Sequence, residues 1–243
     1  MASSISSKIN NTISSYSPGN IFTYSDFNLP KENELALAKS LSRLVKKGEI
    51  VRIEKGKYYR PRKTSFGNLR PDISQIVKSL TRKDEKVIGY PTGITIYNQL
   101  GLTTQMSNVL VIASVKPQLK KEISGYRVKF VKRNFEIEEK DIPLFQLLDA
   151  VKDIKKIPDT SPNDALKVII AKFAELPVSK LKRLTKLALN YNAATRALTG
   201  VILQQYAKGI SVSSLYKSLN PLTKYKMKLN PSILTNQIKW NIE

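Results

Sequence analysis

The chain has 243 residues, 41% hydrophobic and 25% charged, with 41 Lys and Arg against 19 Asp and Glu, a formal net charge of +22. Such a balance calls for an anionic partner, nucleic acid ahead of an acidic protein or an anionic membrane surface. There is no cysteine and no histidine, which excludes disulfides, thiol nucleophiles, histidine triads, proton shuttles and Cys/His zinc sites.

No apolar run approaches the roughly 18–20 residues of a membrane span. The start, MASSISSKINN, lacks both a basic n-region and an apolar signal core. A cytoplasmic location without a membrane partner is expected.

From about Ser3 to Tyr16, Ile5, Ile9 and Ile13 recur at steps of four and predict a first helix. Pro18-Gly19-Asn20 breaks it, and Ile21-Phe22 reads as a short buried strand or connector. Thr23 to Phe27 supplies cap-type residues for a short second helix. A third helix follows Pro30, with Glu32 and Glu34 at its positive start and Leu37, Leu41, Leu44 and Val45 on one buried face.

Lys39, Arg43 and Lys46 fall on the opposite side of that helix, with Ser40 beside them and Lys47 after. Gly48 stops it. Ile50, Val51 and Ile53 predict a strand, Glu54-Lys55-Gly56 a tight turn, and Lys57 to Arg60 the return strand. Helix, short helix, basic helix and basic hairpin within about 60 residues is the order of a winged helix-turn-helix, so residues 1–62 are expected to be a DNA-binding domain.

Residues 63–70 read as a linker and 71–243 as a second domain, α/β over 71–140 and helical over 141–243. The fold class expected is therefore α+β, a winged helix-turn-helix followed by a mixed, mainly helical C-terminal domain. Asp72–Leu80 predicts a helix with Ile73, Ile76, Val77 and Leu80 on one side. Val87–Tyr90 suggests a short strand, Ile94–Leu100 a helix closed by Gly101, and Val109–Val115 a buried strand. Tyr126, Val128 and Phe130 alternate with Arg127, Lys129 and Lys132, a strand with a basic outer face. Leu144, Leu147 and Leu148, then Leu166, Ile169, Ile170, Phe173 and Leu176, then Leu181, Leu184 and Leu187, then Leu198, Val201 and Ile202 mark packed helices.

Charge is unevenly spread. Residues 1–62 carry +6, residues 63–160 carry +6, and residues 161–243, with 13 basic and three acidic side chains, carry +10. Lys180, Lys182, Arg183 and Lys186 cluster in one helix. Lys224, Lys226 and Lys228 alternate with Tyr225, Met227 and Leu229, which in a strand would put three lysines on one face. Either cluster suits phosphate, an acidic protein or plain solvation.

Chemistry is hard to find. The densest acidic run, Glu136, Glu138, Glu139 and Asp141 around Lys140, reads as a solvated connector rather than a cation site. Gly89 and Gly93 lack the spacing of a phosphate-cradling loop. No catalytic residue, metal site or cofactor is expected, and the chain reads as a non-enzyme.

Two stretches carry a resemblance. Ala38-Lys39-Ser40-Leu41-Ser42-Arg43-Leu44-Val45-Lys46-Lys47-Gly48 with Ile53-Glu54-Lys55-Gly56-Lys57-Tyr58-Tyr59-Arg60-Pro61 resembles the start of AbiEi-type antitoxins. Pro91-Thr92-Gly93 and Asn98-Gln99-Leu100-Gly101-Leu102-Thr103-Thr104-Gln105 resemble that family's second region. The likeness spans about residues 5–135 and departs at Met106-Ser107, where the family tends to have a proline.

It implies a type IV toxin–antitoxin component of a bacterial abortive-infection system against phage. Its winged helix would repress its own operon promoter, with an oligomer on the DNA, and its C-terminal domain would counter a cognate nucleotidyltransferase-like toxin or act at that toxin's target. On that footing Lys39, Ser40 and Arg43 are expected at base edges, and Lys46, Lys47, Arg52, Lys55, Lys57, Arg60 and Arg62 at phosphates. An RNA-binding or translation-associated protein is the alternative reading, and a purely protein-binding adaptor a third.

Overall fold

The computed structural model describes residues 5–65, 67–83, 86–116 and 121–243. The helix start expected at Ser3, and Phe66 of the expected linker, lie outside these. The chain is α+β and divides into two compact units, Met1–Lys86 with Lys120–Val128, and Val87–Leu119 with Lys129–Glu243.

In the first unit, α1 (Ile5–Ser15) buries Ile9 and Ile13. Strand β1 (Ile21–Thr23) inserts Phe22, fully buried, between the rings of Tyr16 and Tyr58. A 3-10 turn, Tyr24–Phe27, follows, its Asp26 closing back on the Thr23 N–H. Helix α2 (Glu34–Lys46) then lays Leu37, Leu41 and Leu44 into the same cluster. Its end is held by a left-handed residue: Gly48 has φ +67, its N–H donates to Val45 C=O, and the Glu49 N–H to Leu44 C=O, both at 3.0 Å.

Strands β2 (Val51–Glu54) and β3 (Lys57–Tyr59) form the hairpin, and β1 adds to the far edge of β3 with Phe22 opposite Tyr58. The turn is Lys55-Gly56, with Gly56 at φ +76. A bulge between Arg52 and Glu54 twists the outer strand.

The linker expected over 63–70 is replaced by structure. Two-residue strands β4 (Lys63–Thr64) and β5 (Gly67–Asn68) pair. Helix α3 (Ile73–Thr81), capped by Asp72 accepting from the Ser74 N–H at 2.7 Å, belongs to the first unit, not to a second domain. Lys57 Nζ reaches its Ser79 carbonyl at 2.7 Å. The division falls instead at Lys86–Val87, because residues 63–81 fold back toward the small sheet rather than leaving it. Ile73, expected on the buried side, is exposed, whereas Ile76 and Leu80 are buried. Two-residue strands β6 (Arg82–Lys83) and β7 (Lys86–Val87) follow, and β10 (Lys121–Ile123) pairs with the start of β11 (Tyr126–Lys132).

In the second unit, β8 (Gly89–Thr92) pairs antiparallel with β9 (Val109–Ser114), Gly89 opposite Ser114. Residues 129–132 of β11 flank β9 on its other side. Short α4 (Ile94–Gln99) starts after Gly93 and stops at Gly101, both with positive φ. Helices α5 (Ile142–Asp153), α6 (Pro162–Ala174), α7 (Val178–Ala188) and α8 (Ala193–Tyr206) form a bundle, followed by short α9 (Ser213–Lys217). Their expected stripes are buried in one cluster, except Ile170 and Leu176, which pack half-buried against it, and the cluster also takes in Tyr225, Met227, Leu229 and Trp240. No described helix is long and apolar enough to cross a membrane.

Candidate nucleic-acid interface

Helix α2 sorts its side chains by angle. At about 100° per residue, Leu37, Leu41 and Leu44 fall on one side, and Leu35, Lys39, Ser42, Arg43 and Lys46 on the other. Leucines face inward because the aromatic floor of Phe22, Phe27 and Tyr58 lies beneath them. Lys39, Arg43, Lys46 and Lys47 are all exposed. None of the four makes an ion pair or side-chain hydrogen bond with a described residue, so a row of uncompensated cations covers the outer face. Ser40 is half-buried on the flank of the helix, away from the centre of that row.

The hairpin is less uniform than its sequence suggests. Lys55 is exposed at the turn, Arg62 is exposed just past the hairpin, and Arg52 is exposed with Nε 3.4 Å from its own turn's Glu54 carbonyl. Lys57 is already engaged: its ammonium lies 2.8 Å from Glu54 Oε1 besides holding Ser79. Arg60 is half-buried and donates to Ser14 C=O at 3.3 Å, tying the hairpin to α1. These two are structural cations first. Below the hairpin, burial and then the hydrogen bond shared with Tyr24 push the Tyr58 hydroxyl up to about 12.

The acidic run is not a solvated loop throughout. Asp141 is buried and takes a bidentate grip from Arg183, Nε at 3.1 Å to both oxygens, while Arg183 Nη2 also reaches Glu138 at 2.7 Å. Arg183 therefore leaves the second basic surface, and its own hydrogen bond to Asp141 raises its affinity for the proton. Lys180 donates to the Lys140 carbonyl at 3.2 Å. Lys182 and Lys186 stay exposed on α7.

Near the C-terminus, Lys224, Lys226 and Lys228 are exposed and Tyr225, Met227 and Leu229 buried, so the alternation holds. The segment is not a strand, however. Its one bridge pairs Tyr225 with Ile242, and Lys224 is held by Glu243 at 2.8 Å.

The most concentrated polar chemistry lies where sequence reading pointed to nothing. Asp149, 1% exposed, sits mid-α5 and bonds Arg133 Nη2 at 2.5 Å. Thr92 Oγ1 and Tyr191 Oη lie 2.8 Å from its two oxygens, and Tyr90 Oη at 3.1 Å. Arg133 Nε donates to Tyr90 Oη at 3.0 Å, and the guanidinium lies against the rings of Tyr90, Phe135 and Tyr191.

Burial pulls the Arg133 proton affinity down, and the Asp149 carboxylate together with Tyr90 and Tyr191 more than offsets it, so the guanidinium stays charged. Every strong hydrogen-bonding position of the carboxylate is met from within, which makes this a satisfied core pair rather than a ligand site. An acid, Asp149, phased with Phe145 inside the apolar helix IPLFQLLDAVKD is the signal that would have found it. Among the described residues no group of three or more acids could hold a metal ion.

In its fold the chain is similar to the solved structure of the RV2827C protein from Mycobacterium tuberculosis. The TM-score is 0.52 and the identity 12%, over 90% of this chain and 83% of that one. No curated protein matches the sequence. Residues 8–170 match the model of a family of unknown function, DUF6088. The chain belongs to that family.

Proposed function

We propose that the first unit is a winged helix-turn-helix that binds double-stranded DNA, with α2 in the major groove and the β2–β3 hairpin as a wing along the backbone. The observation that carries this is the α2 face: Lys39, Arg43, Lys46 and Lys47, all exposed, none compensated by a described residue, opposite a stripe of buried leucines. A major groove admits a single helix, and phosphate neutralisation by such cations supplies most of the affinity. Lys39 and Arg43 are proposed at base edges, and Lys46, Lys47, Arg52, Lys55 and Arg62 at phosphates. Ser40, Lys57 and Arg60 contribute less, since burial or internal bonds occupy them.

The biological setting proposed is that of an autoregulatory repressor and antitoxin, cytoplasmic, acting on its own promoter and opposing a nucleotidyltransferase-like toxin. The support is the likeness of residues 5–135 to AbiEi-type antitoxins. Exposed Lys182, Lys186, Lys226 and Lys228 in the second unit are available to a second anionic target.

The test is binding of the full chain to its upstream duplex and to duplex and structured RNA across a salt series. Contacts to about five to seven phosphates predict a log–log salt slope of about −4.5 to −6.3 on B-DNA. Tighter binding to RNA than to the upstream duplex, or binding insensitive to salt, would overturn the DNA reading. A nucleotidyltransferase-like reading frame beside the gene, toxic alone and harmless when this chain is co-expressed, tests the antitoxin role.

A further inference from the structure

Leu35 stands 77% exposed in the first turn of α2. Single exposed leucines are ordinary on protein surfaces, so exposure alone says nothing; its position does. At about 100° per residue it lies within roughly 40° of Lys39 and Lys46 and diametrically opposite the Leu37–Leu41–Leu44 stripe. It is therefore the one large apolar side chain on the cation-bearing face of α2, at the N-terminal end of the row. Val45 and Leu29 pack against the first unit's core, and Leu35 is not among the residues that do. It also occupies the N-terminal end of the helix, the part that meets base edges when such a helix enters the major groove.

What an apolar side chain can read there is limited. The thymine C5-methyl is the one apolar feature that a base pair presents in the major groove, and apolar side chains recognise it by contact. We infer that Leu35 is a specificity-determining residue that reads a thymine methyl group beside the bases contacted by Lys39 and Arg43. The inference rests on the proposed DNA-binding role of α2. It adds what the lysines and arginines cannot supply, a preference between thymine and bases without the methyl.

The experiment starts from a preferred duplex selected by the full-length protein from a randomised pool. Each thymine in it is then replaced in turn by deoxyuridine, which removes only the methyl, and binding of the wild-type protein and of Leu35→Ala is measured on every duplex. Burial of one methyl group corresponds to about a fourfold change in Kd. The expected result is a thymine whose replacement weakens the wild type about fourfold and Leu35→Ala not at all, with Leu35→Ala about fourfold weaker on the parent duplex.

Leu35→Ala should unfold at the wild-type temperature, since the leucine touches no core and alanine is the better helix former. If deoxyuridine weakens both proteins equally, or neither at any position, while binding stays salt-sensitive and sequence-selective, Leu35 reads no methyl and the inference falls with the DNA reading intact. If no salt-sensitive duplex binding is found at all, the DNA reading falls and takes this inference with it.

Discussion

Arg43 in the first unit and Arg133 in the second carry the same guanidinium into opposite surroundings. Arg43 projects from α2 into solvent with no described partner. Arg133, 8% exposed, is wrapped by Asp149, Tyr90, Tyr191 and the Phe135 ring. Water satisfies the first charge at no cost, so it remains available to a ligand. Desolvation would make the second prohibitive without its carboxylate. A cation with every partner inside the protein has little left to offer outside it. The same contrast separates Lys46 from Lys57, and Lys186 from Arg183.

The largest effect expected from that contrast is in the second unit. Asp149→Ala strands a buried guanidinium and should cost about 3–5 kcal/mol, read by thermal unfolding with emission from the single tryptophan, Trp240. The double replacement Arg133→Met with Asp149→Leu should be less destabilised than Asp149→Ala. Equal melting of Asp149→Ala and wild type would show that the pair does not hold the unit together.

Next comes packing in the same unit. A Cβ at Gly200 on α8 would lie 2.2 Å from the buried Trp240 ring. Gly200→Ala should cost about 1–3 kcal/mol, against up to about 1 kcal/mol gained in helix propensity. A red-shifted Trp240 emission is expected, with loss of its 2.7 Å bond to Gln204. An unshifted emission would mean that the ring moves aside freely.

The cation comparison in the first unit has a smaller expected effect. Lys46→Ala should lower the salt slope of duplex binding by about 1 and leave stability within about 0.5 kcal/mol. Lys57→Ala should change the slope less and lose about 0.2–1 kcal/mol of stability through Glu54. Identical slopes for the two variants would show that Lys57 leaves Glu54 on DNA.

The smallest effect near neutrality concerns the tyrosines. Tyr16, Tyr58, Tyr59, Tyr90, Tyr97 and Tyr191 all ionise above the ordinary tyrosine value, burial being the first cause in each. The folded chain holds these protons more tightly than the unfolded chain, so this contribution to stability is whole below about pH 10. For Tyr58 it is lost as pH rises toward about 12. Ultraviolet titration of the native protein should therefore be biphasic, the late phase coinciding with unfolding. A single phase near the ordinary value would contradict the burial of these rings.

Periodicity alone located α2, its glycine stop, the hairpin, β9, β11 and the four long helices, because each buries a stripe spaced by its own backbone geometry. The outer face of α2 was equally legible, being the complement of that stripe. The helix over 72–80 was legible, but the grouping of residues 63–81 was not, since composition marks a polar, glycine-containing stretch but not the sheet on which it folds back.

Which cations stay free could not be read either. Arg183 and Asp141 are 42 positions apart, Lys57 and Ser79 22, Arg133 and Asp149 16. Local sequence therefore determined the elements and their polar faces. Only tertiary structure decided which charges face solvent and which face one another, because the partners of a buried charge are chosen by proximity in space.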